Sequence, residues 1–244
     1  MSESRAVLSV MMPAYNEEQT ISAAIARVLA QPEVGELIVV DDASRDETWQ
    51  VISRLASGEP RIRAFQQPRN QGKGAAIRRA ITELKFPYAI VQDADLEVEP
   101  ADYPNVLAPL LARQADAVFG SRRFAITSFQ TFVFTLGNKV LTLVTNVLFR
   151  GRVADMEVCY KLLPSSLWQS LPLSASRFEF EPEVTALLLM RRCHIVNVPI
   201  AYLPRTMQQG KKMGVADGWH AIKFLLRFRF SRSKELAAAE PRRS

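Results

Sequence analysis

The sequence predicts an α/β chain with a mostly parallel central sheet and helices on both faces. Short apolar runs alternate with stretches of helical periodicity. Polar or acidic clusters sit at the carboxyl ends of several of those runs. The bulk agrees: 244 residues, 48% of them hydrophobic, suffice for one large α/β domain, or for one domain with a small extension.

Val7 to Met12 is the first predicted strand, running into Pro13-Ala14-Tyr15-Asn16-Glu17-Glu18. Ile21, Ala24, Ile25, Val28 and Leu29 recur at helical spacing, predicting a helix from Thr20 to Leu29 that Pro32 closes. Glu36 to Val40 is the second strand and ends at Asp41-Asp42-Ala43-Ser44. A helix from Asp46 to Ser57 follows, with Asp46 or Ser44 as its N-cap. Arg61 to Gln66 is a third, more polar strand, and Asn70-Gln71-Gly72-Lys73-Gly74-Ala75 turns into a helix through Leu84. The fourth strand, Tyr88 to Val91, delivers Gln92-Asp93-Ala94-Asp95-Leu96-Glu97.

Ligands of such sheets sit at the carboxyl ends of the strands. Tyr15 to Glu17, Asp41-Asp42 and Asp93 to Glu97 all fall there. Asp93 and Asp95 alternate about Ala94 and share a face in extended geometry; Glu97 repeats the spacing. These carboxylates suit a hard divalent cation, Mg2+ or Mn2+, that leaves positions open for water and substrate phosphates. Each cluster alone also reads as a helix-capping turn; recurrence at three strand ends favours a site. Residues 70–74 lack the Ser or Thr that a phosphate loop carries after its Lys, so a glycine turn is the simpler reading, with Lys73 still within reach of a phosphate. No G-x-G-x-x-G follows the first strand, which argues against a nicotinamide dehydrogenase.

The net charge of +6 suits an anionic partner, but no nucleic-acid module is recognisable. Cys159 and Cys193 form neither a disulfide framework nor a zinc spacing, which fits a reducing cytosol. Met1 to Arg5 is short and polar, so no signal peptide is expected. Phe124 to Phe149 is the most apolar region, but Gly137-Asn138-Lys139 interrupts it, so no membrane span is expected. It reads either as a core helix pair or as an interfacial pair dipping into a bilayer.

Asp155-Met156-Glu157-Val158-Cys159-Tyr160-Lys161 comes next, with Cys159 as a packed small residue. Phe178 to Glu183 opens a helix to Arg191-Arg192 whose acids and bases suit the helix dipole; Glu183 is open between that role and reaching the site. His194 reads as structural, and Ile195 to Ala201 as another strand. Arg205 and Gly210-Lys211-Lys212-Met213-Gly214 form a solvated basic loop or one that closes over phosphates. The helix from Asp217 to Phe230 interleaves aromatic and basic residues, for packing or for an anionic membrane surface.

Pro13-Ala14-Tyr15-Asn16-Glu17, Val40-Asp41-Asp42-Ala43-Ser44, Asn70-x-Gly72-x-Gly74-x-Ala76, Asp93-Ala94-Asp95 and Phe119-Gly120-Ser121-Arg122 occur in that order. Together they resemble the family 2 glycosyltransferases, inverting enzymes of the GT-A (Rossmann-like) fold, and within them the dolichyl-phosphate mannose synthase and polyprenyl-phosphate glycosyltransferase group. The resemblance implies that Pro13, Tyr15 and Glu17 line the base and ribose pocket, that Asp42 contacts the nucleoside beside Asp41, and that Lys73 approaches phosphate. It implies metal ligation by Asp93 and Asp95, with Glu97 where relatives often have Gln. Asp95, Arg122 and Asp155 would be catalytic, Arg122 binding phosphate and Asp155 acting near the acceptor as an orienting group or base. Arg205, Lys211 and Lys212 would form a basic acceptor loop. The residues after Asp155 depart from the Ser-Gly-Phe of many members.

The implied activity is Mg2+- or Mn2+-dependent transfer of a hexose from a UDP- or GDP-sugar to a polyprenyl or dolichyl phosphate. It would occur in the cytoplasm, peripherally on the cytosolic membrane face. The alternative keeps fold and donor but uses a soluble or saccharide acceptor. The implied layout is a nucleotide-sugar-binding core over 1–123, an acceptor-side part of the same domain over 124–230 with C-terminal acceptor-side helices, and a flexible tail over 231–244. A sugar-1-phosphate nucleotidylyltransferase would need a glycine-rich loop after the first strand, and Pro13-Ala14-Tyr15-Asn16 is not one. A binding protein without catalysis is the third class, and it would take up nucleotide without turnover.

Overall fold

The structure, a computed structural model, describes residues 6–122, 129–177, 179–204 and 221–230. Its strands are β1 (Leu8–Ala14), β2 (Val34–Asp41), β3 (Ile62–Gln66), β4 (Tyr88–Val91), β5 (Ala117–Arg122), β6 (Lys161–Pro164) and β7 (Ile195–Ile200). They form one sheet in the order β3-β2-β1-β4-β6-β5-β7. β1 is parallel to β2 and β4, β2 to β3, and β5 to β7; β6 is antiparallel to both of its neighbours. Sequence periodicity did not reveal β6, which is four residues long and begins on a lysine.

Helices α1 (Ile21–Leu29), α2 (Thr48–Gly58), α3 (Lys73–Ile81) and α4 (Tyr103–Leu111) follow the first strands, and α6 (Ser165–Ser170) and α7 (Phe180–Met190) follow β6. A strand covered on both faces can be apolar throughout. Accordingly Val10, Met11 and Met12 of β1 and Leu37 to Val40 of β2 are fully buried. The spacing that predicted α1 is the face it buries: Ile21, Ala24, Ile25 and Val28. The chain steps from β1 to β2 on one side and returns to β4 on the other, so a crevice opens between the carboxyl ends of β1 and β4.

Helix α5 (Phe129–Phe149) corrects the expected helix pair: it is one helix of 21 residues, unbroken by Gly137-Asn138-Lys139. An interior glycine costs only about 1 kcal/mol. Asn138 is used rather than merely tolerated, since its Nδ2 donates to Asp155 Oδ1 at 2.9 Å. By length and composition Thr131–Phe149 is also long and apolar enough to cross a membrane, contrary to the sequence reading, although 28% of it is buried in this domain.

The inward face of α5 sets polar groups beside buried Leu141 and Phe149. Thr142 Oγ1 accepts from Met156 N–H at 3.1 Å, and Asn146 exchanges two hydrogen bonds of 2.9 Å with the Val153 backbone. The outward face carries Phe132, Leu136, Val140, Leu143 and Val147, exposed by 43% to 70%. Residues 221–230 form a further helix, α8. It buries Leu225 and Phe228, leaves Leu226 and Phe230 exposed, and donates from Arg229 Nε to the Leu148 carbonyl at 3.1 Å. Arg205, Lys211, Lys212 and the tail from Ser231 lie outside the described residues.

Candidate active site

The loops after β1, β2 and β4 each turn on a residue in the left-handed region: Asn16 (φ 53°), Ala43 (φ 57°) and Leu96 (φ 61°). Asparagine tolerates this, whereas alanine and leucine cost on the order of 1 kcal/mol each. Strain of this kind collects where surrounding bonds over-determine the backbone, and they do so here. Asn16 N–H donates to Ser44 Oγ (2.9 Å), Arg45 N–H to Asn16 Oδ1 (2.9 Å), and Glu17 N–H to Thr48 Oγ1 (2.8 Å). Neither cap candidate for α2 stands at its N-cap, which is Glu47 with no side-chain cap bond; Asp46, one residue earlier, accepts from Thr48 N–H at 3.0 Å. Ser44 instead donates to Asp41 Oδ1. Pro13 lies in β1 beside Val40, with half-buried Tyr15 and Glu17 at the mouth.

Asp41 and Asp42 are buried, and they brace neighbouring loops. Asp41 accepts from Ser44 N–H and Gln66 Nε2. Asp42 accepts from Gln67 Nε2 (2.8 Å), Gln71 N–H (2.8 Å) and Gly72 N–H (2.7 Å). This fixes the glycine turn ahead of α3. A Cβ on Gly72 (φ 95°) would stand 2.3 Å from the Ser176 carbonyl oxygen, and one on Gly74 2.4 Å from that of Ala175. The glycines therefore allow two backbones to touch. Glu183 holds the opposing backbone, accepting from the N–H groups of Ser174 and Ala175. That settles its open role as a brace.

Lys73 follows Gly72 and points inward. Its Nζ lies 2.8 Å from Asp93 Oδ1 and 2.7 Å from Glu181 Oε1. Burial alone would lower its pKa, but the Asp93 and Glu181 carboxylates hold it well above the ordinary lysine value. Beyond Val91 the chain leaves the strand, so the extended alternation expected of Asp93, Asp95 and Glu97 does not hold. Asp95 Oδ1 accepts from Glu97 N–H at 3.0 Å, and the Leu96 turn sends the Glu97 carboxylate to the Tyr202 hydroxyl at 3.1 Å. Among the described residues no three His, Cys, Asp or Glu side chains gather as a metal cage. Asp93 and Asp95 are the pair nearest the strand end, with Glu97 turned toward Tyr202.

Those two still fit Mg2+ or Mn2+. Such ions are commonly held by one or two carboxylates, with water and substrate phosphates completing the shell. The ammonium of Lys73 against Asp93 shows that this corner attracts a cation.

On the far side of the crevice Arg122, at the end of β5, meets Asp155 in a two-pronged ion pair: Nε to Oδ2 at 2.7 Å and Nη2 to Oδ1 at 2.9 Å. The Tyr202 ring lies 5.2 Å from the guanidinium. Burial would raise the Asp155 pKa, but hydrogen bonds from Arg122 and Asn138 and the Arg122 charge bring it below the usual value, which suits an orienting group better than a base. Burial raises the Cys159 thiol well above its ordinary pKa, so it is an inert packed residue. Burial and the Glu181 carboxylate push Glu157 up to about 7.

The structure thus gathers Asp93, Asp95, Lys73, Arg122 and Asp155 about one crevice and adds Glu181, Asn138 and Glu157. Glu181 was hidden among helix-dipole acids and Asn138 inside an expected helix break. Glu157 carried only one signal, an acid within the segment that replaces Ser-Gly-Phe.

An open sheet of this strand order, with acids at its switch point, is the fold of a GT-A glycosyltransferase. The structure aligns with glucosyl-3-phosphoglycerate synthase of Mycobacterium tuberculosis, crystallised with Mn2+, UDP and phosphoglyceric acid, at a TM-score of 0.70 and 22% identity over 94% of this chain and 80% of that one. The chain belongs to glycosyl transferase family 2, whose match spans residues 9–161. Among its relatives is the low-salt glycan biosynthesis hexosyltransferase Agl6 of Haloferax volcanii, 27% identical over 90% of this chain and 53% of that protein. Another is the UDP-N-acetylglucosamine–dolichyl-phosphate N-acetylglucosaminyltransferase of Methanococcus voltae, 27% identical over 84% of this chain and 89% of that one. The chain spans about half the length of the first of these relatives, 53%.

Proposed function

We propose that this chain transfers a hexose, with inversion, from a UDP- or GDP-sugar to a polyprenyl or dolichyl phosphate. One observation carries the acceptor. Asn138 links α5 to Asp155 and Arg122 in the crevice, while the opposite face of α5 is apolar and exposed. A phosphate with a prenyl tail has that same pairing of anion and apolar chain. Relatives named for dolichyl-phosphate acceptors support the same reading.

In this reading Pro13, Tyr15 and Glu17 line the base and ribose pocket, and Asp41 and Asp42 keep the loops around it in place. Asp93 and Asp95 would hold Mg2+ or Mn2+, which when bound neutralises charge on the departing diphosphate. Lys73 steadies Asp93 and adds positive charge beside the phosphates. Arg122, held by Asp155, orients the acceptor phosphate for attack opposite the leaving group. Arg205, Lys211 and Lys212 add cations from outside the described residues. The outward face of α5, with exposed Lys139 in α5, Arg150 just after it, and Lys223 and Arg227 in α8, rests on the anionic cytosolic membrane surface.

The test is a panel of labelled UDP- and GDP-hexoses with Mn2+ or Mg2+, run with and without polyprenyl phosphate, the product resolved by thin-layer chromatography. A lipid-phosphate-linked sugar that disappears on chelation is expected. Product formed only on a saccharide would move the acceptor to the soluble class.

A further inference from the structure

The segment between α5 and β6 is wound around an internal ammonium. Lys161 Nζ, buried, donates to the carbonyls of Met156 (2.8 Å) and Val158 (2.6 Å), the residues on either side of Glu157. Asp155 is fixed by Arg122 and Asn138, and Met156 N–H by Thr142. Asp155, Met156, Val158, Cys159 and Tyr160 are all buried. Glu157 is the exception. It is half-buried, and among the described residues it accepts no hydrogen bond and makes no ion pair. A pinned turn thus presents one carboxyl group that, among the described residues, meets no protein donor.

The loop places that residue on the acceptor side: Asp155, two residues earlier, pairs with Arg122, and Lys161 holds the carbonyls on either side of Glu157. The charges that act on its carboxyl are those of Glu181 at the start of α7, Lys161 of β6, Arg122 at the end of β5 and Asp155 of its own loop. Arg122 and Asp155 are already paired with each other. An ionised Glu157 would repel both Glu181 and an incoming phosphate. A neutral carboxyl would donate a hydrogen bond to that phosphate, so that two would-be anions share one proton.

We propose that Glu157 is an acceptor-recognition residue that works as a neutral carboxyl group, donating a hydrogen bond to a dianionic phosphate monoester beside Arg122. The proposal rests on the phosphate-acceptor reading above. Burial and Glu181 raise its pKa into the neutral range, with Lys161 and Arg122 pulling the other way, and so keep the proton available near neutrality. The second ionisation of a phosphate monoester lies near pH 6. Neutral Glu157 and dianionic phosphate therefore coexist in a band around neutrality, and above it ionisation of Glu157 repels the acceptor.

The experiment measures KM for farnesyl phosphate from pH 6 to pH 9 at saturating donor and Mn2+, for the parent, Glu157→Gln and Glu157→Ala. The parent KM should rise by about tenfold per pH unit above neutrality, as expected for loss of one proton. Gln keeps a neutral donor, so its KM should stay flat on the alkaline side, with donor KM unchanged. Ala should raise the acceptor KM most near neutral pH. Calorimetry of farnesyl phosphate binding to the parent at pH 8, in buffers of different ionisation enthalpy, should show net proton uptake. Parallel alkaline limbs for parent and Gln, loss of acceptor use by Gln at every pH, or binding without proton uptake would each overturn the proposal. A parent that glycosylates a saccharide but no prenyl phosphate overturns the acceptor reading along with it, which separates the two failures.

Discussion

The two walls of the crevice are built by opposite means. The wall from β1, β2 and β4 is made of short loops tied to one another by side-chain to backbone hydrogen bonds, as the Asn16 side chain is to the Arg45 backbone and Asp42 to the 71–72 backbone. The wall from β5, α5 and the 153–160 segment rests on a buried ion pair and on a helix that turns polar groups toward the protein. The first arrangement holds charges ready for a diphosphate. The second spends its polar groups inside and leaves an apolar surface outside. A rigid anion grip on one side and a greasy approach on the other is what a donor and a lipid acceptor separately require.

The comparison can be broken at four places, the largest effect first. Asp95→Asn should lower turnover on the order of a thousandfold, within the range for losing charge stabilisation of a leaving group, while the urea midpoint stays put. Retained turnover would remove Asp95 from the donor wall. Asp155→Ala should cost about 3 kcal/mol in urea unfolding, because it removes the buried carboxylate that meets the Arg122 guanidinium at two points. The sign with pH follows from its depressed pKa. Its contribution is present above the ordinary value of 3.8 and is lost as pH falls through the folded one, so parent and variant should converge in acid.

Replacing Leu143 and Val147 together with Lys should weaken sedimentation with anionic vesicles by roughly tenfold, since about 25 cal/mol per Å2 of apolar burial is forfeited. Its melting temperature should move little, because both side chains face outward. Unchanged vesicle binding would take the membrane off this face. The smallest effect is on the donor wall: Ala43→Gly relieves the left-handed backbone and should stabilise by about 1 kcal/mol or less, after the entropy that glycine adds to the unfolded chain.

The donor wall was largely readable in advance, because its determinants are local. Tyr88–Val91 is the strand that its apolar run announced, and the acids follow it directly. What differs there is the backbone: the extended alternation of Asp93, Asp95 and Glu97 is replaced by a turn at Leu96 that brings Glu97 to Tyr202. The acceptor wall was poorly readable, because its partners are far apart in the chain. Lys73 finds Glu181, and Arg122 finds Asp155, only after the sheet has formed.

Periodicity and strand-end chemistry by themselves determined the α/β alternation, the crevice position and the acids at its floor, since side-chain direction along a strand or helix follows from neighbouring residues. Tertiary structure alone decided that Asn138 joins a helix to an aspartate, that α5 is one helix with an apolar side outward, and that Glu157 is the half-buried residue in an otherwise buried turn. The reason is physical: which face of an element meets the protein, and which charge meets which, depends on loop closure over distances that local patterns do not encode.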